Sequence, residues 1–391
     1  MTERLEDSDF HSTLSLVDLL LCSAKQPLLG LNEAKPKLKH EHTLGLTPQL
    51  SSLKLICRRA GDLHAVLIHR CAAELQFLDI GVGNPRVLFY DADDNAVVYP
   101  NMRDLRLSGV NFDSSATRFL VPDVVPFPRL RSLRLRTPFF LGDDVLFRGN
   151  NATLEYLYFK VDAESMTMLC NSQAFGKGFS NLRNIVVEAS YGSGSLRLVP
   201  ERIVSDFLCK LAHSAHRMEL RAAIPFAGLL TSTSCRPHFA HIRSLDLFNR
   251  PLSLYEMLNM LMSLPVLKNL SSEIGNLGSQ FDHIPHDELP DHIASTYLDA
   301  GKHLKCWALP CGNRRGISVA EYVMLVALAC PRLRQIESLN VDTRSYHSRV
   351  TEATRSGPYS KYASRLIRLL DGIFLEQDEE VSFMNMLIDD Y

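Results

Sequence analysis

The chain has 391 residues, of which 46% are hydrophobic and 22% are charged, and its formal net charge is -2. This apolar content is enough to build a large core and excludes a wholly disordered protein. No run of 18 uncharged apolar residues occurs in the sequence, so we predict no membrane-spanning helix. A net charge near zero also argues against a protein whose main task is to coat nucleic acid or anionic membranes.

Nine cysteines are widely spaced and odd in number. The N-terminal stretch LSLVDLLLCSA contains Asp18 and follows an acidic leader, which is not typical of a signal peptide. Without a secretory signal, such cysteines are expected to be reduced and mostly buried thiols. The sequence therefore predicts a cytoplasmic or nuclear protein.

Residues 1–47 precede the periodic part of the chain. The stretch HSTLSLVDLLLCSA is compatible with a short amphipathic helix, and AKPKLKHEH that follows is typical of a polar, basic linker. We predict that this segment forms an N-terminal cap and a linker.

A repeated spacing of apolar residues begins at residue 50. The string LSSLKL at 50–55 has apolar residues at positions 1, 4 and 6, and the same frame begins again at 75, 102, 130, 154, 182, 242 and 304, with weaker copies at 215, 267 and 333. Eight of the ten steps between units are 24 to 29 residues long, which is the period of leucine-rich repeats. Proline lies two residues before position 1 in five units, where it can end one element before a strand begins: Pro48, Pro100, Pro128, Pro265 and Pro331.

Segments with helical periodicity lie between the predicted strands, at 62–74, 201–215, 253–264 and 318–330. In the last, Ser318 and Glu321 have the spacing of a capping box. Short strands that alternate with helices of 10–15 residues predict parallel strands with the helices on one side. We therefore predict an α/β leucine-rich-repeat solenoid of about eleven degenerate repeats over residues 48–345. The alternative, a doubly wound α/β domain, does not explain a register kept over eleven units.

The LxxLxL frame resembles the leucine-rich-repeat superfamily, particularly its ribonuclease-inhibitor-like class. The degenerate units and the prolines before the strands are similar to fungal F-box/leucine-rich-repeat substrate receptors. That resemblance implies a curved parallel sheet on the concave side, helices on the convex side, and a receptor role with a ubiquitin-ligase adaptor as partner. It also implies an F-box within residues 1–47, yet this segment has no Leu-Pro start and no tryptophan; the F-box is absent, diverged or missing from the gene model.

Residues 346–391 follow the repeats. The stretch at 360–377 predicts an amphipathic helix that covers the last repeat, with Leu366, Leu369, Leu370 and Phe374 on one side. The acidic tail DEEVSFMNMLIDDY is either the end of this cap or a short linear motif that docks elsewhere.

Motifs for catalysis are weak in this sequence, which contains neither a phosphate-binding loop nor a GxSxG nucleophile turn. We predict no catalytic, cofactor-binding or metal-binding residue. A less favoured alternative is a metal-dependent enzyme that uses the 282–292 segment, with Asp282, His283, His286, Asp287 and His292. There Pro285 and Pro290 argue against the helix that would place histidines on one face.

The face opposite the predicted core carries positions 3, 5 and 7 of each repeat, because side chains alternate across a strand. In units three to five these positions bring together six side chains of the types enriched at interface hot spots: Arg106, Arg134, Arg136, Tyr156, Tyr158 and Lys160. We predict a non-enzymatic protein-recognition module whose concave face binds an acidic or phosphorylated protein target. The alternatives are an ordinary solvated face, a plain scaffold or inhibitor without a ubiquitin link, and nucleic-acid binding, which the slightly acidic chain disfavours.

Overall fold

The computed structural model describes residues 51–55, 62–81, 86–91, 93–108, 124–136, 146–189, 200–221, 235–298, 300–309, 319–338 and 343–367. The predicted N-terminal cap and linker, Pro48, Ser318 and the tail beyond residue 367 lie outside these ranges. The chain divides into two compact units, the first comprising residues 1–160 and 172–177 and the second residues 161–171 and 178–391. The predicted domain boundary after residue 47 is not among the described residues, and the one after 345 falls within a helix at 343–355.

The first unit is built on parallel strands that pair in the order of the sequence. They are β1 Ser52–Leu55, β2 Phe77–Gly81, β3 Asp104–Ser108, β4 Ser132–Leu135 and β5 Tyr156–Val161. Each begins two residues after position 1 of a predicted repeat, so the frame is confirmed here to the residue.

The second unit has the same construction, again with parallel strands that pair in sequence order. They are β6 Asn184–Ala189, β7 Arg217–Arg221, β8 Ser244–Leu252, β9 Asn269–Ile274, β10 Cys306–Leu309 and β11 Gln335–Ser338. A register shift interrupts the β8–β9 pairing between Leu247 and Pro251. The eleven described strands match the eleven predicted units, and the predicted α/β leucine-rich-repeat solenoid is confirmed.

A ladder of buried leucines explains why these strands pair in this register. Leu78, Leu105, Leu133 and Leu157, at position 4 of successive repeats, are directly opposite one another and have no exposed surface. Full burial of such a side chain contributes about 1.5–3 kcal/mol. A slip of one residue would turn the ladder toward solvent, so the apolar pattern specifies the pairing.

The prolines before the strands occupy a β-turn. The amide of Met102 donates to the Tyr99 carbonyl at 3.2 Å, which places Pro100 second in a four-residue turn. Proline favours this position because its ring fixes φ at the value the turn needs. The same hydrogen bond closes the turns at Pro128, Pro265 and Pro331.

Helices connect the strands, but several are shorter than the predicted 10–15 residues. The helices are α1 Asp62–Cys71, α2 Arg86–Phe89, α3 Ala163–Asn171, α4 Gln173–Gly176, α5 Glu201–Ala212, α6 Arg236–Phe239, α7 Leu254–Ser263, α8 Leu289–Thr296, α9 Val319–Ala329 and α10 Thr343–Arg355. The helices predicted at 62–74, 201–215, 253–264 and 318–330 correspond to α1, α5, α7 and α9. After α2, the Asp91 side chain accepts amide hydrogen bonds from Asp93 and Asn95, so a polar turn replaces further helix.

A capping box does occur, but at a helix where it was not predicted. Ser253 accepts from the amide of Glu256, and the Glu256 carboxylate accepts from the Ser253 amide, at the start of α7. The predicted Ser318 cap of α9 is outside the described residues. At the C-terminal end, residues 363–367 are helical and Leu366 is buried, as predicted; Leu369, Leu370 and Phe374 are outside the described ranges.

The lone tryptophan lies in the core of the second unit. Trp307 is fully buried, and its indole Nε1 donates to the hydroxyl of Ser272 at 3.1 Å. Its ring packs near that of Tyr322, whose hydroxyl donates to the Leu252 carbonyl. Both polar atoms are therefore satisfied, as buried donors need to be. Among the described residues no helix is both long and apolar enough to cross a membrane.

Candidate functional site

The six predicted site residues lie on and beside three neighbouring strands of the first unit. Strand register places Arg106 of β3 opposite Arg134 of β4, and Arg134 opposite Tyr158 of β5. The side chains at these positions are half-buried, while the alternate positions are fully buried leucines and Phe159. We call this set the arginine–tyrosine patch: Arg106, Arg134, Arg136, Tyr156, Tyr158 and Lys160.

Two neighbours hold the Arg106 side chain in place. Its guanidinium group donates to the Asp104 carboxylate through Nη2 at 3.1 Å and Nε at 3.4 Å. The same group lies over the Phe77 ring, 4.8 Å from the centroid. A cation over an aromatic face is stabilised by about 0.5–1 kcal/mol at exposed sites and more when water is excluded. Arg106 is therefore oriented before any partner arrives.

Arg134 is oriented by a different ring. Its guanidinium group lies 4.8 Å from the centroid of Tyr156, on the next strand of the sheet. Arg106 turns toward Phe77 of β2 and Arg134 toward Tyr156 of β5, so the two groups diverge in opposite directions. Their strands are about 4.8 Å apart. This divergence lowers the repulsion between two adjacent cations and leaves both on the same face.

A buried carboxylate, Asp79, lies within the same surface and was not predicted as part of the site. It is 4% exposed, and its Oδ2 is 3.5 Å from Arg136 Nη2 and 3.8 Å from Lys54 Nζ. The Arg136 amide donates to the Leu107 carbonyl at 2.9 Å, which holds its backbone against β3. Part of the positive charge is thus neutralised internally. The sequence signal was available, since Asp79 is at position 5 of the second repeat.

The surface as a whole keeps an excess of positive charge. It contains five cationic side chains (Lys54, Arg106, Arg134, Arg136 and Lys160) and two carboxylates, Asp79 and Asp104. Tyrosines beside these cations add flat apolar area together with a hydroxyl. This arrangement suits an anionic, extended ligand.

The alternative metal-dependent site is not assembled. Among the described residues, no three His, Cys, Asp or Glu side chains come close enough to hold a metal ion. His286 Nε2 instead contacts Glu321 Oε1 at 2.5 Å. His283 and His286 lie in turns, as the prolines predict, whereas His292 lies on α8, because Pro290 is in the first turn, where proline has no hydrogen bond to lose. The segment lines an open cavity of about 970 Å³ together with Lys361, Tyr362 and Arg365.

The described cysteines are free, and four of them have a raised pKa. Burial raises the pKa of the Cys71 and Cys170 thiols to about 11, and that of Cys209 and Cys330 to about 12. A reactive cysteine needs a lowered pKa, so these thiols are inert packing groups. Cys22, Cys57 and Cys311 are outside the described residues.

Comparison with known proteins gives structural neighbours and no sequence match. No protein-family model matches the chain, and no curated protein matches it in sequence. Among solved structures, the chain is similar to the leucine-rich repeat-containing protein LegL7 from Legionella pneumophila, with 16% sequence identity and a TM-score of 0.42. The alignment covers 82% of this chain and 89% of LegL7.

Proposed function

We propose that the arginine–tyrosine patch docks an acidic or phosphorylated segment of a partner protein. The observation that supports this most is the pair of guanidinium groups in register on β3 and β4, each held over an aromatic ring. Arginine pairs with carboxylate or phosphate through two parallel hydrogen bonds, which adds geometric specificity to charge attraction.

Pre-orientation is what makes this surface favourable for binding. Fixing a long side chain on binding costs roughly 0.5–1.5 kcal/mol. Arg106 and Arg134 are already restricted by Phe77 and Tyr156, so part of that cost is met during folding. Tyrosine has few rotatable bonds, and Tyr158 lies opposite Arg134 where it can extend the contact area.

The mechanism that follows is presentation without chemistry. A rigid sheet holds the target segment while another protein acts on it, and the patch itself neither transfers protons nor binds a metal. The resemblance of the sequence to fungal F-box/leucine-rich-repeat receptors supports a more specific proposal, that the protein is a substrate receptor of a ubiquitin ligase. A plain scaffold or inhibitor would use the same surface without an adaptor.

The patch is tested by charge reversal. Affinity capture with mass spectrometry compares the wild-type protein with the Arg106→Glu/Arg134→Glu variant. The matched control is Arg103→Glu/Arg131→Glu, which changes the net charge equally at exposed positions of the same two repeats. We expect the patch variant to lose partners that the control retains. An unchanged partner set in the patch variant would overturn the proposal.

The ligase role is tested at the other end of the chain. Capture with the full-length protein is compared with capture by a version that starts at Thr47. Loss of a ligase adaptor with retention of the targets supports a receptor role. Targets without any adaptor in either version would support the scaffold.

A further inference from the structure

In the second unit, a row of cationic residues crosses the sheet at the end where the strands begin. In each repeat, the residue at position 2 directly precedes the strand, and in six successive repeats this residue is basic. We call these residues the basic edge row: Arg183, His216, Arg243, Lys268, Lys305 and Arg334. All six are exposed.

Backbone hydrogen bonds make this row continuous. The carbonyl of Arg183 accepts from the amides of His216 and Arg217, and the carbonyl of His216 accepts from those of Arg243 and Ser244. The carbonyls of Arg243, Lys268 and Lys305 each accept the same pair of bonds from the next repeat. Neighbouring members are therefore one strand spacing apart, about 4.8 Å, and six of them span roughly 24 Å.

The turns around the row add cations and no carboxylate. The segments 178–183, 213–216, 240–243, 264–268, 300–305 and 330–334 contain seven Lys or Arg residues, four His residues and no Asp or Glu. Among the described residues, no carboxylate forms an ion pair with a member of the row. In the first unit the equivalent position differs, because Arg131 pairs there with Glu155 at 3.8 Å.

The pKa of His216 is lowered, first by desolvation of its ring and then by the positive charges of Arg243, Arg183 and His241. Its imidazole is thus neutral at pH 7, and the row carries five fixed positive charges. Because Arg243, Lys268, Lys305 and Arg334 follow one another at about 4.8 Å, within the screening distance of about 8–10 Å, an anionic chain along the row relieves their repulsion.

We propose that the basic edge row binds an extended, Asp/Glu-rich polypeptide segment of a partner protein. An extended segment of eight residues is about 23 Å long, which matches the row. The proposal is independent of the arginine–tyrosine patch, which belongs to the first unit.

Nucleic acid fits this edge less well. Proteins that bind single strands without sequence preference combine cations with aromatic side chains on which the bases stack. The only Phe, Tyr or Trp residue in the six segments is Phe179, which is 2% exposed. The edge therefore offers charge without a large exposed aromatic ring.

Fluorescence anisotropy with a labelled octaglutamate peptide tests the proposal on the full chain. The row variant replaces Arg243, Lys268 and Lys305 by Gln. The matched control replaces three other exposed arginines by Gln: Arg103, Arg349 and Arg355. Circular dichroism confirms that each variant keeps its fold, and the Arg106→Glu/Arg134→Glu variant separates this site from the patch.

We expect octaglutamate to bind the wild-type protein, with affinity that falls as salt is raised. Measured in the Arg106→Glu/Arg134→Glu background, which removes acidic-peptide binding at the patch, the row variant should bind at least about tenfold more weakly than the protein with the row intact, and the control variant within about twofold of it. Equal loss in row variant and control would show a net-charge effect and overturn the proposal. Equal binding of octaglutamine, or tighter row-dependent binding of an oligouridine or of phosphatidylserine vesicles, would overturn it as well.

Discussion

Replacing Asp79 by Asn should strengthen the binding of acidic peptides. The asparagine side chain keeps the shape of aspartate but removes the charge that pairs with Lys54 and Arg136. Those two side chains are 29% and 45% exposed, so water can solvate them once the pair is broken. Both cations then become available to a ligand on the same face.

The size of the effect follows from the exposure of the partners. Ion pairs between partly exposed groups are worth about 0.2–1 kcal/mol each. Release of Arg136 should therefore raise the affinity for an acidic peptide by up to about fivefold. The carboxylate that is lost also stabilises the fold, so the melting temperature should fall slightly while binding improves.

Isothermal titration with an acidic peptide measures this directly when every protein also carries Arg243→Gln, Lys268→Gln and Lys305→Gln, which remove binding at the basic edge row. Asp93→Asn is the matched control, because Asp93 is exposed and its loss changes the net charge equally. Arg136→Gln should weaken binding, and adding it to Asp79→Asn should remove most of the gain. Weaker binding by Asp79→Asn, or an equal gain in the Asp93→Asn control, would refute internal neutralisation by Asp79.

Three further predictions concern the core of the second unit and its turns. Gly301→Ala should lower the free energy of unfolding by about 1–3 kcal/mol, because the φ of Gly301 is +59° and a Cβ there would lie 2.7 Å from the Cys330 sulfur. The control Gly176→Ala should change the free energy of unfolding very little, because the space around Gly176 is open. Chemical denaturation compares the two variants. Ser272→Ala should cost about 1–3 kcal/mol because the buried indole N–H of Trp307 loses its acceptor; an unchanged denaturation midpoint would contradict this. Burial raises the pKa of Cys330 from 9.0 to about 12. At pH 8 the thiolate form of Cys330 should therefore be about a thousandfold scarcer in the folded protein than in the unfolded chain. Peptide mass spectrometry should find that iodoacetamide alkylates Cys330 only after the protein is denatured.

The strands could be predicted to the residue because two independent signals agree. Apolar residues at positions 1 and 4, and at position 6 in most repeats, must be buried, which specifies the register. In five repeats a turn proline also marks where the strand follows. The connections were less predictable. Residues 91–95 form a polar turn through the Asp91 carboxylate, a local hydrogen-bond choice that apolar periodicity does not report. Pro290 does not prevent α8, because it lies in the first turn rather than in a helix interior.

The members of the arginine–tyrosine patch were predictable, but their interactions were not. Register alone places Arg106, Arg134 and Tyr158 side by side. The orientation of each arginine side chain depends on a ring on a neighbouring strand, Phe77 or Tyr156. No fixed spacing in the sequence predicts such contacts between strands. The basic edge row was missed because only positions 3, 5 and 7 were considered, although the signal at position 2 is plain in the aligned repeats.

Site-specific photocrosslinking tests the central claim, that the arginine–tyrosine patch contacts a partner, most directly. Benzoylphenylalanine is placed at Tyr158 on the sheet face or, as a control, at Glu155 on the strand edge, where the side chain is 44% exposed. We predict a crosslinked partner at Tyr158 that is absent at Glu155 and disappears in the Arg106→Glu/Arg134→Glu background. Crosslinks of equal yield at both positions, or a crosslink at Tyr158 that survives the charge reversal, would contradict the account.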